Sequence, residues 1–355
     1  MSSFDEWEVD VEGNFSLNKR VVDLLPNGAK AISAVAHGTS NWTETAMLTV
    51  ILGDGRPKNY YLKCARGHSA RAITQGEFHS ATKINTVVPR FGPTPRGWGQ
   101  YIDGCDEVYF YLSDFHNMDL VSPPDPIPFI TKLVQLHQRG TSPTGMFGYP
   151  IPTVIGKLQR TVTWEKSWAQ SFTHLLSDAI QYDDEVNQPW PEFDIACSEI
   201  ISVVIPRLLG ALQHGKRNIT PTLIHGDLWE RNVGTDRESG RVVIFDPGSI
   251  YAHNEMEFGT WRCFWATHFK RPEYLKLYKE HIRPSEPAEE WDDRNRLYSI
   301  HAYLIASGGH QHLESRQLAY EEMVFLCENN IEGVSLYTPT LGGPTEDARS
   351  YQTIA

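Results

Sequence analysis

Period-two alternation of apolar residues marks the first third of the chain, and a period near 3.6 takes over beyond residue 125. Ala46-Met-Leu-Thr-Val-Ile-Leu52 and Tyr60-Tyr-Leu-Lys63 are strand-like runs separated by Gly53-Asp-Gly55, which tolerates positive φ. Residues 45–63 are therefore predicted to form a β-hairpin with Lys63 projecting from its second strand. Ser69 is placed to cap a following helix that carries Ile73, Phe78, Ala81 and Ile84 on roughly one side and Glu77 within it, until the prolines at 89–95 end it. A second extended pair, 98–102 and 107–113, turns around Asp103-Gly104.

After Pro123-Pro124-Asp125-Pro126 the stripes become helical. Ile130, Leu133, Val134 and His137 form one, ending at Gly140; Trp164, Trp168, Phe172, Leu175 and Ala179 form another. A third helix is expected from 194 to about 214 with Pro206 interrupting or restarting it, and two more over 292–306 and 315–330. The prediction is an α+β chain of two lobes: a small antiparallel β-sheet lobe with one helix, residues 1–115, and a larger, mostly helical lobe, residues 116–355, hinged at 113–119.

Composition narrows the partners. With 355 residues, 40% hydrophobic and 21% charged, the chain has ordinary globular usage and enough length for a sizeable core. The balance of 32 basic against 44 acidic residues, −12, disfavours nucleic acid and anionic lipid. Five scattered cysteines without CxxC spacing argue against a disulfide framework and for a reducing, cytoplasmic setting. The acidic start, with no apolar run behind it, does not read as a secretory signal, so the three Asn-x-Ser/Thr matches at Asn14, Asn41 and Asn218 are taken as chance. No run is expected to span a bilayer.

The chemistry concentrates in Leu223-Ile-His225-Gly-Asp227-Leu-Trp-Glu-Arg-Asn232 and Arg241-Val-Val-Ile-Phe-Asp246-Pro-Gly-Ser. Two apolar strands deliver three oxygen-bearing side chains, Asp227, Asn232 and Asp246, to adjacent strand ends. Such a set suits phosphoryl transfer from a magnesium nucleotide, with Asp227 taking the proton of an attacking hydroxyl and Asn232 and Asp246 holding Mg²⁺; the Asp-to-Asn spacing matches the protein-kinase catalytic loop. His225 more readily holds the turn by a hydrogen bond. The competing view of Asp227 and Asp246 as turn residues accounts for one Asp at a strand end but not for the combined spacing.

HGDLWxxN followed by Ile244-Phe-Asp-Pro-Gly-Ser-Ile-Tyr-Ala-His-Asn-Glu255 resembles the fructosamine/ketosamine-3-kinase family, within the aminoglycoside-phosphotransferase-like and protein-kinase-like superfamily. Tyr61-Leu-Lys63, Gly76-Glu77, Leu136-His137, Phe147-Gly148 and Thr163-Trp164-Glu-Lys-Ser-Trp168 extend the resemblance over roughly residues 30–330, and Trp291-Asp-Asp-Arg294 is most similar to a fungal branch. The resemblance implies a protein-kinase-like fold, ATP and Mg²⁺ as cofactors, and transfer of the γ-phosphoryl to O3 of a ketosamine, as in protein deglycation. It further implies that Lys63 grips the α- and β-phosphates, that Glu77 pairs with Lys63, and that Gly38, Thr39 and Ser40 lie over the phosphates. Backbone around 112–115, including Ser113 and Phe115, would meet adenine, and Trp229, Tyr251, His253 and Glu255 would face a small-molecule or glycated-amine acceptor. Glu255 was expected to pair with the acceptor's secondary amine. For Trp164 and Trp168, helix packing is the preferred reading.

Two features depart from the pattern or stand outside it. The family often has small residues between Trp and Asn of HGDLWxxN, where this chain has Glu230-Arg231. Gly308-Gly-His-Gln-His312 reads as a loop, since two histidines at i, i+2 lack acidic or sulfur partners. Three alternatives stay open at this point: a phosphotransferase for an aminoglycoside, choline or other alcohol, an idle kinase-like binding module, and a metal-dependent hydrolase using His225, Asp227 and Asp246.

Overall fold

The hairpin expected over 45–63 forms the middle of a six-stranded sheet in the computed structural model, which describes residues 8–38, 43–310 and 313–330. Its strands are β1 (Glu12–Gly13), β2 (Lys30–Ala36), β3 (Glu44–Ile51), β4 (Pro57–Arg66), β5 (Pro95–Asp103) and β6 (Asp106–Asp114), in the order β1-β2-β3-β4-β6-β5. Only β1 and β2 run parallel. Alternation decides the faces: Ala46, Leu48 and Val50 of β3 join Leu62, Cys64, Phe110 and Leu112 in one buried cluster, and Lys63 points the other way.

Helix α1 (Ala70–Val87) covers that other face. Trp98 Nε1 donates to Thr74 Oγ1 at 2.9 Å, tying the helix to the sheet. Its last turn belongs elsewhere, because Ile84 and Val88 pack with Phe91 into the large cluster of the helical half. Three further contacts press α1 onto that half. The Ser249 N–H donates to Ser80 Oγ at 3.2 Å, and His79 Nδ1 and Tyr149 Oη share a hydrogen bond of 3.0 Å. At Gly76 a Cβ would stand 3.0 Å from the Pro152 carbonyl oxygen, so glycine permits the close approach.

From β6 the chain passes 115–117 into β7 (Met118–Asp119) and then α2 (Pro126–Arg139). The start of α2 shows why the sequence turns helical there: Asp125 accepts from the Ile127 N–H at 3.0 Å, and proline occupies the first turn. Helix α3 (Trp168–Asp184) begins one turn later than the stripe from Trp164, since Ser167 is the cap and Glu165 is bridged to Phe147. Pro206 does not end the third helix; it stands in the first turn of a restarted α-helical segment, Ile205–Leu208. The stretch Pro191–Gln213, here α4, absorbs the proline through a π-turn over Ile200–Val204, in which the Ile205 N–H reaches Ile200 O. By length and composition this helix could cross a membrane, contrary to the expectation that no run would, with a hydropathy of 1.8; here Phe193, Ile200, Val204, Leu208 and Leu212 are buried in the core.

Four short strands follow: β8 (Thr222–Ile224), β9 (Val233–Asp236), β10 (Val242–Ile244) and β11 (Ile250–Ala252). They pair as β10-β9-β7 and β8-β11. Helices α5 (Pro272–His281), α6 (Trp291–His310) and α7 (Leu313–Asn330) complete this half, α6 running past both ends of its predicted range and α7 starting earlier than predicted; Gln311 and His312 lie outside the described residues. The glycine pair expected in a loop, Gly308-Gly309, is the end of α6.

Candidate functional site

The β9–β10 hairpin sets Asn232 beside Asp246. Val233 pairs with Ile244, and the Phe245 N–H donates to Asn232 O at 3.0 Å. Asp227 lies in the turn after β8, and Asn232 Nδ2 donates to its Oδ2 at 3.0 Å and its carbonyl at 2.8 Å. With the amide nitrogen committed to Asp227, the Asn232 side-chain oxygen is the donor left for a cation. Asp246 adopts φ +58, a left-handed conformation that Asp tolerates. Its Oδ1 accepts from Lys63 Nζ at 2.5 Å, and the same ammonium donates to Glu77 Oε2 at 2.6 Å. Lys63 and Glu77 are buried, whereas half of the Asp246 side chain is exposed.

These charges act on one another. Desolvation works to discharge Lys63, but Asp246 and Glu77 hold its ammonium well above the ordinary lysine value. Burial pushes Glu77 up to about 7 against the pull of Lys63. Burial together with the Asp246 charge pushes Asp227 up to about 7, opposed by Arg160 and the Asn232 amide. Desolvation would raise Asp246 as well, yet Lys63 keeps it below the usual carboxylate range.

His225 is a clip. Its Nδ1 accepts from the Asp227 N–H at 3.3 Å, so Nε2 carries the proton and donates to Phe245 O at 2.9 Å. Burial keeps the ring neutral. Gly226 has φ +86, and a Cβ there would stand 2.3 Å from Gly248 O, so the two turns touch backbone to backbone.

Sequence reasoning missed the cradle beneath this turn. The buried Glu257 carboxylate accepts from the N–H groups of His225 at 2.6 Å and Gly226 at 3.0 Å. His137 Nε2 donates to it at 3.4 Å, while Tyr278 donates to His137 Nδ1 at 2.7 Å. Thr260 Oγ1 and Trp261 Nε1 donate to Leu228 O at 3.1 and 2.8 Å. Arg160, also missed and buried, donates to Thr153 Oγ1 at 2.7 Å and to Gly248 O; its Nε and Nη1 meet no acceptor among the described residues. Burial lowers it to about 10.

Several expected residues stand elsewhere. Thr39 and Ser40 lie outside the described residues, and Gly38 opens that loop at φ +80 beside Thr45. Ser113 is buried, and the N–H groups of Asp114 and Phe115 are taken by Thr94 O and Asn59 O, which removes those donors from any base; the Phe115 ring meets His37 edge-on at 5.0 Å. Tyr251 is buried in β11 and stacks on Trp164 at 6.0 Å, so it packs the core instead of facing an acceptor. His253 is buried, accepts from Tyr298 Oη at 2.8 Å and donates to Ser285 Oγ at 2.9 Å. Glu255 is closed off by Arg294 Nε at 2.8 Å, Arg294 Nη2 at 3.2 Å and the Ser285 N–H at 2.7 Å, and so cannot pair with an acceptor amine. Trp229 remains half-exposed on the turn after β8, with the Arg231 guanidinium 6.0 Å from its ring.

Among the described residues no group of three or more His, Cys, Asp or Glu is placed to hold a metal ion. A closed zinc-type shell is thereby missing, while two oxygen donors suit a cation that takes its other ligands from phosphates and water.

Comparison with known proteins gives one consistent answer. The chain is 28% identical over 174 residues to the chloroplastic protein-ribulosamine 3-kinase of Oryza sativa subsp. indica, covering 49% of this chain and 46% of the relative. It is 28% identical over 158 residues to Mus musculus ketosamine-3-kinase, covering 44% and 47%. It thus spans about half the length of these curated relatives. In fold it is similar to the crystal structure of a candidate fructosamine-3-kinase from Haemophilus somnus 129PT, with TM-score 0.65, 17% identity, and 84% and 92% of the two chains covered. The aminoglycoside phosphotransferase APH(4)-Ia, in ternary complex with AMP-PNP and hygromycin B, gives TM-score 0.57 at 13% identity over 84% and 94%. Residues 31–321 match the fructosamine kinase family over most of the chain's length, and the chain belongs to that family.

Proposed function

We propose that this protein is an ATP-dependent kinase that transfers the γ-phosphoryl group to a sugar hydroxyl, O3, of a ketosamine, and so acts in deglycation. The observation that carries the reading is the convergence of Asp227, Asn232, Asp246 and the Lys63–Glu77 pair from four separate chain segments. Family membership and the curated ketosamine and ribulosamine kinases support the acceptor class. The fold shared with a phosphotransferase crystallised with AMP-PNP supports the nucleotide.

In this reading residues 1–115 bind the nucleotide and 116–355 bind the acceptor. Lys63, oriented by Glu77, meets the α- and β-phosphates. Asn232 Oδ1 and Asp246 would hold Mg²⁺, which would supply charge neutralisation for the phosphates. Asp227 accepts the hydroxyl proton as the acceptor oxygen forms its bond to the γ-phosphorus and the bond to the β-phosphate oxygen breaks, releasing ADP. Positioning and electrostatics supply most of the acceleration. Trp229 offers its ring to the sugar. Five free cysteines suit a cytoplasmic setting.

The test is ATP consumption with Mg²⁺ on fructosyl-lysine and ribosyl-lysine against a panel of amino sugars and alcohols. Selective turnover of the ketosamines is expected, and Asp227→Asn should lower it by about 10²- to 10⁴-fold. Preferred turnover of another alcohol would refute the acceptor, and undiminished turnover by Asp227→Asn would refute the base.

A further inference from the structure

Segment 257–269 holds the catalytic turn at His225, Gly226, Leu228 and Glu230. Glu257 takes the N–H groups of His225 and Gly226, and Thr260 and Trp261 take the Leu228 carbonyl. The tie at residue 230 runs the other way. Glu230 Oε1 accepts from the N–H groups of His268 and of Phe269, the latter at 3.2 Å, and Oε2 accepts from Thr267 Oγ1 at 3.1 Å. Among the described residues no lysine or arginine forms a salt bridge with this carboxylate; two backbone dipoles and a hydroxyl hold it, and such bonds are directional.

We propose that Glu230 is a positioning residue for the acceptor, an inference that rests on the kinase reading above. Its carboxylate staples the turn 266–269 to the catalytic loop. That fixes Trp229, its immediate neighbour, as an aromatic wall for the sugar. The metal side has anchors of its own. Asn232 meets Trp229 through one backbone bond, but its side chain is held by Asp227 and its carbonyl by the Phe245 N–H. Losing Glu230 therefore loosens the acceptor wall and leaves the nucleotide groups in place.

The experiment compares the wild type with Glu230→Ala, Glu230→Gln and Thr267→Val, varying fructosyl-lysine at saturating Mg-ATP and then the reverse, with thermal midpoints read on the same samples. Glu230→Ala is expected to raise the KM for fructosyl-lysine about tenfold or more, with the KM for ATP within about twofold. Glu230→Gln, whose amide oxygen still accepts, should recover most of the loss, and Thr267→Val should show a small fraction of it. An unchanged acceptor KM in Glu230→Ala would overturn the proposal. So would parallel losses in both KM values and the thermal midpoint, the mark of a purely structural role. A wild type that turns over no ketosamine would sink the kinase reading and this proposal together, and is told apart because it appears before any variant is compared.

Discussion

Lys63 and the turn 225–230 are both fixed in place, but by different forces. Charge holds the lysine: one buried ammonium lies between two carboxylates at 2.5 and 2.6 Å. The turn is held by its own backbone, whose N–H and C=O groups are bonded to Glu257, Thr260 and Trp261. The first arrangement can rearrange, because its partners are side chains. The second cannot shift without leaving buried backbone groups unpaired.

Breaking the charged arrangement should cost the most activity. Lys63→Met is expected to lower kcat/KM for ATP by about 10²- to 10³-fold, as for loss of one preorganised donor, which steady-state kinetics at saturating acceptor would read. The backbone arrangement should fail in stability instead. Glu257→Ala strands two N–H groups and is expected to cost about 3 kcal/mol in urea unfolding; an unchanged midpoint and slope would show the cradle to be dispensable.

A pH titration sharpens the contrast, since the helical half buries neutral histidines. Burial lowers His253 to about 4 and His301 to about 3. Both rings protonate near 6.5 once unfolded, so their contribution is complete above that pH and declines as pH falls through 6.5 toward 4 and 3. The expected loss by pH 4.5 is about 2 kcal/mol per ring, and His301→Phe should flatten the slope between 6 and 4.5. The smallest effect belongs to Gly76→Ala. Better helix propensity offsets the crowding at Pro152, so stability should change by less than about 1 kcal/mol, while the displaced Glu77 raises the KM for ATP about two- to fivefold.

How much of this was legible in the sequence follows the same divide. Asp227, Asn232 and Asp246 could be grouped because five and nineteen residues of hairpin-compatible chain separate them, and Lys63 because strand alternation fixes its face. Spacing did not reveal direction for residues 251–255. His253 and Glu255 follow Asp246 closely, but β11 carries them inward, where Tyr298, Ser285 and Arg294 saturate them. Glu257 and Arg160 had no local signal, because what they bind is backbone brought near only by the fold. Glu230 was visible as a departure from pattern, though its partners at 267–269 were not.

The way α1 is seated has a pharmacological consequence. Pinned through Gly76, His79 and Ser80, this helix is an axle rather than a lever. A compound that selects an outward-swung helix would first have to part Ser80 from Ser249 and lift Gly76 from the Pro152 carbonyl before its binding pocket existed.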